Sequence, residues 1–239
     1  MLFRYRTYIL TVIVVLGFWS PWDQWFGWPA TRVWLIVPQQ LARLGLMSLQ
    51  NATIALTIVA VACAVAAALL RTWATAYLDA AVVHDKRMRA DQIVADGPFR
   101  YVRNPLYRGT LFHVLALSLL MSPSGAIFVI VAVQLFHVIL VAEEERLMLA
   151  QRGEHYAEYL KAVPRWIPSW RAKLPSSGAR PRWGQAILGE IYVCAVAVIY
   201  AALAWRYNAQ LLERGILIAY GARMVLRAFI PVQKETETK

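Results

Sequence analysis

Gly97-Pro98-Phe99-Arg100-Tyr101-Val102-Arg103-Asn104-Pro105-Leu106-Tyr107-Arg108 runs directly into the apolar segment Gly109 to Met121, and then through Ser122-Pro123-Ser124-Gly125 into a second apolar segment, Ala126 to Ala142. Proline disfavours the α region for the residue before it and suits the first helical position, so Asn104-Pro105 reads as a helix start. Gly109 to Met121 has thirteen residues, which at 1.5 Å each is roughly 20 Å, short of the roughly 30 Å of a bilayer core. Ser122 to Gly125 reads as a turn that sends the chain back, so the two segments form a tight helical hairpin. Asp96-Gly97-Pro98-Phe99 upstream reads as another turn.

The rest of the chain extends the apolar theme. Of 239 residues, 59% are hydrophobic and 16% charged, with a mean hydropathy of +0.47. Soluble domains sit nearer 45 to 50% apolar and about 25% charged. The excess is gathered in runs such as Ala52 to Leu70, Ala126 to Ala142 and Ala186 to Trp205. This pattern fits an integral membrane protein and excludes a disordered tail, a disulfide scaffold and an ordinary cytosolic enzyme. Tyr5 to Trp19 follows Arg4 and Arg6 and lacks a small-residue cleavage site, which predicts an uncleaved anchor. Asn51 to about Tyr77 predicts a second helix, Ala186 to Trp205 a span, and Leu211 to Ile230 an amphipathic segment that either crosses or lies on the surface. The expected fold is therefore all-α and polytopic, with five to six helices, a tight hairpin and a cytosol-facing site. Trp19, Trp22, Trp25, Trp28 and Trp34 crowd the stretch after the first helix and read as an interfacial belt with some packing.

Charge sets the expected orientation. The 25 Lys and Arg against 14 Asp and Glu give a formal +11, which the positive-inside rule explains without a nucleic-acid partner. Arg71, Lys86, Arg87, Arg89, Arg100, Arg103 and Arg108 fill one loop, and Arg146, Arg152, Lys161, Arg165, Arg171, Lys173, Arg180 and Arg182 fill another. Both loops, and with an even helix count both termini, are expected in the cytoplasm. Cys63 and Cys194 lie in apolar runs, with neither metal-ligand spacing nor a disulfide framework. Residues 1–70 are expected to hold the N-terminal helices and Trp-rich loop, 71–170 the core with hairpin and polar loops, 171–184 a basic linker, and 185–239 the C-terminal helices and tail.

Arg100, Tyr101, Arg103 and Tyr107 stand directly before the short helix, where backbone amides receive anions. The second polar loop opens with Glu143-Glu144-Glu145-Arg146, read as the end of the fourth helix, where the macrodipole disfavours carboxylates. Gly153, then Tyr156 and Tyr159 on one helical face, lead to Val163-Pro164-Arg165-Trp166-Ile167-Pro168. His113 and His137 lie inside the hairpin segments, where helix-packing hydrogen bonds or an acceptor-lining role are both open.

Gly97-Pro98-Phe99-x-x-x-Arg103-Asn104-Pro105-x-Tyr107, followed by Glu144-Glu145, Gly153-x-x-Tyr156-x-x-Tyr159 and the Val-Pro-Arg-x-Ile-Pro ending, resembles the integral-membrane methyltransferases of the isoprenylcysteine carboxyl methyltransferase and phospholipid N-methyltransferase group. The resemblance covers Arg71 to Pro168. It implies S-adenosyl-L-methionine bound in a cytosol-facing pocket, with a lipid or lipidated acceptor arriving from the bilayer. Gly97, Arg103, Asn104, Pro105 and Tyr107 match the first cofactor-binding motif, and Glu144, Glu145, Tyr156 and Tyr159 the second. Asn104 stands where many members have His, which removes a possible proton acceptor.

The residue chemistry accords with that implication. Arg pairs with the cofactor carboxylate, Glu accepts from ribose hydroxyls, and tyrosine faces attract a sulfonium. Methyl transfer is an in-line displacement in which positioning and water exclusion carry most of the catalysis. A carboxylate acceptor would be oriented by Arg165 or Arg103, whereas an amine acceptor needs a base, for which Glu144 or Glu145 is nearest. Other readings stay open: Arg100 and Arg103 as headgroup anchors, the glutamates as a solvated helix end paired with Arg146 and Arg152, and the tyrosines as interfacial aromatics. At the level of function the alternative is a membrane NADPH-dependent reductase of the sterol or steroid reductase type, with a non-enzymatic scaffold as a weaker one. No G-x-G-x-x-G occurs among the twelve glycines.

Overall fold

The computed structural model describes residues 2–85 and 95–229, and among these the secondary structure is entirely helical. In chain order the helices are α1 (Leu2–Trp19), α2 (Trp22–Phe26), α3 (Val33–Arg43), α4 (Leu49–Asp85), α5 (Pro105–Ser118), α6 (Pro123–Ala162), α7 (Trp183–Gly189), α8 (Ile191–Leu203) and α9 (Ala209–Phe229), with single 3-10 turns at Gly97–Arg100 and Ala204–Arg206. Lys86, Arg87 and Arg89 of the first basic loop, and the tail from Ile230, lie outside the described residues.

The packing centres on α4, which touches α3, α5, α7 and α8. Ala52, Ala60, Ala64, Ala67 and Ala74 recur at helical spacing along one face of α4 and are all buried. Small side chains let neighbouring backbones approach closely, which is how apolar helices gain contact where lipid offers no hydrophobic driving force. Gly109 of α5 uses the same device, since a Cβ there would sit 2.4 Å from Arg71 Cγ. Gly125 of α6 does so against α1, where a Cβ would meet Gly17 O at 2.2 Å. Trp34, Leu117, Leu120, Met121, Val129, Val133, Tyr200 and Leu212 fill the core between these helices. The Tyr200 hydroxyl donates to Ala116 O at 2.6 Å and ties α8 to α5. Val33 N and Trp34 N at the start of α3 donate to Met121 O and Leu119 O beyond α5, pairing orphan groups at two helix ends.

The outer surface is apolar. On α6, Ile127, Val131, Leu135, Val138 and Ile139 form an exposed stripe, and Tyr8, Val12, Val15 and Trp19 do the same on α1. An apolar exterior of this extent belongs against lipid. By length and composition Leu49–Leu78 and Pro123–Ala162 suffice to cross a membrane, and α7 with α8 makes a third candidate if the bent pair is one span.

Several local expectations are corrected. The second helix runs beyond Tyr77 to Asp85, and Arg71, counted above with the first basic loop, lies well inside it. The Pro21 to Gln50 stretch folds into α2 and α3, and Trp34 is a core residue. Pro123-Ser124-Gly125 is the first turn of α6, capped by Ser122 Oγ accepting from Gly125 N. α5 ends at Ser118, not Met121. The helix bearing Glu143-Glu144-Glu145 runs on to a kink at Gly153, at φ 55° and ψ −129°, with a second helical segment from there to Ala162, so these carboxylates stand before the last turn and escape an unfavourable C-terminal dipole. The run Ala186 to Trp205 breaks at Glu190 with a bend of 76° between α7 and α8.

Candidate functional site

The Gly97–Arg100 turn is held by two neighbours. Gly97 has φ +57°, a region that costs other L residues energy, and a Cβ there would lie 2.3 Å from Tyr77 Cδ2 of α4. On its other side the turn is laced to the strap 163–179: Arg103 N donates to Pro164 O, Ser169 N to Tyr101 O and Lys173 N to Arg100 O, each at 2.9 Å. Arg100 Nε donates to Leu174 O at 2.8 Å. Asp96 anchors the end of the strap, accepting from Ser176 Oγ at 2.7 Å, Ala179 N at 3.0 Å and Ser177 N at 3.1 Å, and from Ser177 Oγ. Burial pushes the Asp96 carboxyl up, but these hydrogen bonds outweigh it and hold its pKa below the usual value. The stretch 171–184 is thus a fastener across the motif turn.

Two carboxylate clusters follow from the way α5 starts beside α6. Glu145 is buried and accepts from Arg103 Nη1 at 2.9 Å and from Arg165 Nε at 3.2 Å, with Arg165 Nη2 also bonded. Glu144 accepts from the Tyr107 hydroxyl at 2.9 Å. Asn104 donates through Nδ2 to Arg165 O at 3.3 Å, its backbone at φ −121° and ψ 57° being outside the helical region as the following proline requires. Pro105 occupies the first turn of α5. Tyr156 and Tyr159 have ring centroids 5.7 Å apart, and the Tyr159 hydroxyl donates to Phe99 O at 3.0 Å. They pack with Ala95, Phe99 and Val163 as a small cluster beneath the strap.

A cavity of about 470 Å³ opens beside these groups. Arg6, Arg103, Asn104, Tyr107 and Glu144 are among its polar lining, with His113, His137, Arg71, Glu190 and Arg223, and Leu10, Val14, Phe18, Leu117, Val133 and Ile216 are among its apolar lining. Of the motif residues singled out from sequence, Arg103, Asn104, Pro105, Tyr107 and Glu144 line it, and so do His113 and His137. Glu145 and Arg165 stand behind Arg103, while Gly97, Tyr156 and Tyr159 shape the turn and strap that hold it. Among the described residues the buried Arg103 Nε has no hydrogen-bond partner, so one donor of a cavity-lining arginine is unspent.

Sequence reasoning missed the partner of Arg71. Glu190, at the α7/α8 bend, accepts from Arg71 Nε at 2.7 Å and Nη2 at 2.9 Å and from Thr75 Oγ1 at 3.0 Å, while Arg71 Nη1 donates to Thr110 Oγ1 at 2.6 Å. The signal was present: a lone acid inside an apolar run calls for a partner.

Residues 52–155 match the family model described as phospholipid methyltransferase, which bears out the resemblance over that segment. The match takes in most of α4, the motif turn, α5 and α6 as far as His155, and leaves Tyr156, Tyr159 and Arg165 beyond its end. Neither a curated protein nor a solved structure matches the chain.

Proposed function

We propose that this chain, carrying the phospholipid methyltransferase pattern at residues 52–155, is an integral-membrane methyltransferase that uses S-adenosyl-L-methionine to methylate a lipid or lipidated acceptor. The observation that carries the reading is the cavity itself, in which the motif side chains at Arg103, Tyr107 and Glu144 share one space with a long apolar wall. A polar donor and an apolar acceptor need such a shared space to meet.

The residues fit the donor. The Nε of Arg103, without a partner among the described residues, suits a carboxylate, and the Glu144 carboxylate, which accepts from the Tyr107 hydroxyl through one oxygen, has lone pairs to offer hydroxyls. The Tyr107 ring offers a π face to a cation. When bound, S-adenosyl-L-methionine would supply an electrophilic methyl on a positively charged sulfur. Glu145 holds Arg103 in place from behind through a bond at 2.9 Å, and Arg165 shares the same carboxylate, so both act as positioning residues in this reading. With an amine acceptor Glu144 takes the proton lost by nitrogen, and with a carboxylate acceptor no base is needed. The apolar wall keeps bulk water from competing as acceptor.

In the same reading α5 and α6 form a hairpin within a bundle of five to six crossing helices. The motif turn, the Arg71 end of α4 and the N-terminus of α1 with Arg6 all lie at the cytosolic end. Calorimetry on the detergent-solubilised chain tests the proposal. Binding of S-adenosyl-L-methionine or its demethylated product is expected, weakened by Arg103→Ala and Glu145→Ala; binding of NADPH with neither of these would instead establish the reductase alternative.

A further inference from the structure

The cavity carries polar groups that the proposed transfer does not use. Among the described residues, His137 of α6 is fully buried with neither Nδ1 nor Nε2 hydrogen-bonded, and His113 of α5 is buried with Nδ1 unpaired. Both side chains line the cavity. The His137 ring packs against the Tyr107 ring with centroids 4.9 Å apart, and the His113 ring meets Tyr192 of α8 edge-on at 5.3 Å. His113 lies six residues along α5 from Tyr107, about 9 Å by helical rise. Val114, Leu117 and Val133 line the cavity as well.

The charged groups nearest the histidines are tied up. Arg71 spends three nitrogens on Glu190 and Thr110, the Glu190 carboxylate is met by Arg71 and Thr75, and Arg223, which also lines the cavity, lies over the Tyr192 ring at 5.8 Å. A phosphate at the histidines would lack a ready cation, and an ammonium would lack a ready carboxylate. A neutral imidazole carries one donor and one acceptor, and leaving either unmet in an apolar chamber is costly. A hydroxyl, which both donates and accepts, answers an imidazole's needs. An ether or an ester carbonyl only accepts.

We infer that His113 and His137 form a subsite for a neutral hydroxyl group on the lipid acceptor, on the inner side of the Tyr107 ring against which His137 packs. The acceptor class is then a lipid with its methylatable group at the motif end, a hydroxyl close to that group and an apolar chain against Leu117 and Val133. The inference rests on the methyltransferase reading only in naming the occupant an acceptor.

The test uses the full chain in nanodiscs and two radiolabelled probes, 1-hexadecanol and 1-methoxyhexadecane, so bilayer partition is common to all variants. The wild-type chain is expected to retain the alcohol roughly five- to tenfold more tightly than the ether, the range of the one net hydrogen bond that the ether cannot donate. His113→Leu with His137→Leu is expected to reduce that preference below about twofold, and His137→Gln, which keeps a donor and an acceptor, to preserve most of it. Equal binding of the two probes by the wild-type chain, or an undiminished preference in the double variant, overturns the subsite and leaves the histidines as hydrated packing residues. If the double variant does not fold, His137→Phe, close in shape to the imidazole, provides the same comparison. Donor calorimetry is independent of these probes, so a chain that prefers the alcohol yet binds no S-adenosyl-L-methionine would refute the transferase reading and keep the subsite.

Discussion

Glu145→Ala removes a carboxylate shared by two arginines, and the two arms should contribute unequally. The Arg103 side chain is 12% exposed and bonds at 2.9 Å, whereas Arg165 is 45% exposed. Deleting one partner of a buried pair leaves an uncompensated charge and costs about 3–5 kcal/mol. An exposed pair is worth only about 0.2–1 kcal/mol because water and salt screen it. Glu145→Ala should therefore destabilise the protein by about 3 kcal/mol or more, since Arg103 already has one unpaired nitrogen and would lose its acceptor. Arg165→Ala should cost under about 1 kcal/mol, because Glu145 keeps Arg103. For a chain of this size the first corresponds to a fall in Tm of about 6–12 °C and the second to under about 4 °C. Thermal unfolding in one detergent, with Glu143→Ala as a control for losing a carboxylate on the same helix, gives the comparison. Equal costs for Glu145→Ala and Arg165→Ala, or a cost at Glu145 no larger than at Glu143, would refute the argument that burial makes the Arg103 arm dominant.

Gly97→Ala combines a φ of +57° with a contact of 2.3 Å to Tyr77, so a loss of about 2–4 kcal/mol is expected. Tyr77→Ser should recover the steric part and leave only the backbone part; equal losses in both backgrounds would contradict this. Gly125→Ala, which forces α1 away from α6 at Gly17 O, should lower Tm, while Gly221→Ala, with nothing within 4 Å of its Cβ, should be neutral or slightly stabilising. Asp96 has a folded pKa held below its unfolded value near 3.9, so its contribution is whole above that value and is lost as pH falls through the folded one. The stability gap between wild type and Asp96→Asn should accordingly narrow as pH drops from about 6 to below 4, and a gap independent of pH would show that the carboxylate charge is not what fastens the strap.

Much of the site was legible because its residues are close in sequence or at helical spacing. Asn104-Pro105 marked the start of α5, and the three-residue interval placed Tyr156 and Tyr159 side by side. The glutamates were legible as a group but not in their setting. Apolar periodicity stops near Ala142, yet Glu, Arg, Leu and Ala continue to favour helix, so hydrophobicity ended the element before the backbone did. The division of labour between adjacent glutamates was also out of reach. Glu144 meets Tyr107 and Glu145 meets Arg103 because neighbours on a helix point about 100° apart, toward different partners.

The amino-acid sequence by itself determined that the chain is helical and apolar, where α5 begins, and which side chains carry the motif, since composition, proline placement and local spacing are properties of the linear order. Only the tertiary structure decided that the stretch 171–184 fastens the motif turn through Asp96, that Glu190 answers Arg71 across 119 positions, and that His113 and His137 line one cavity with Tyr107 and Glu144. Those pairings join residues far apart in the chain, and a buried polar group chooses its partner by proximity in the folded state, where an unmet hydrogen bond is costly.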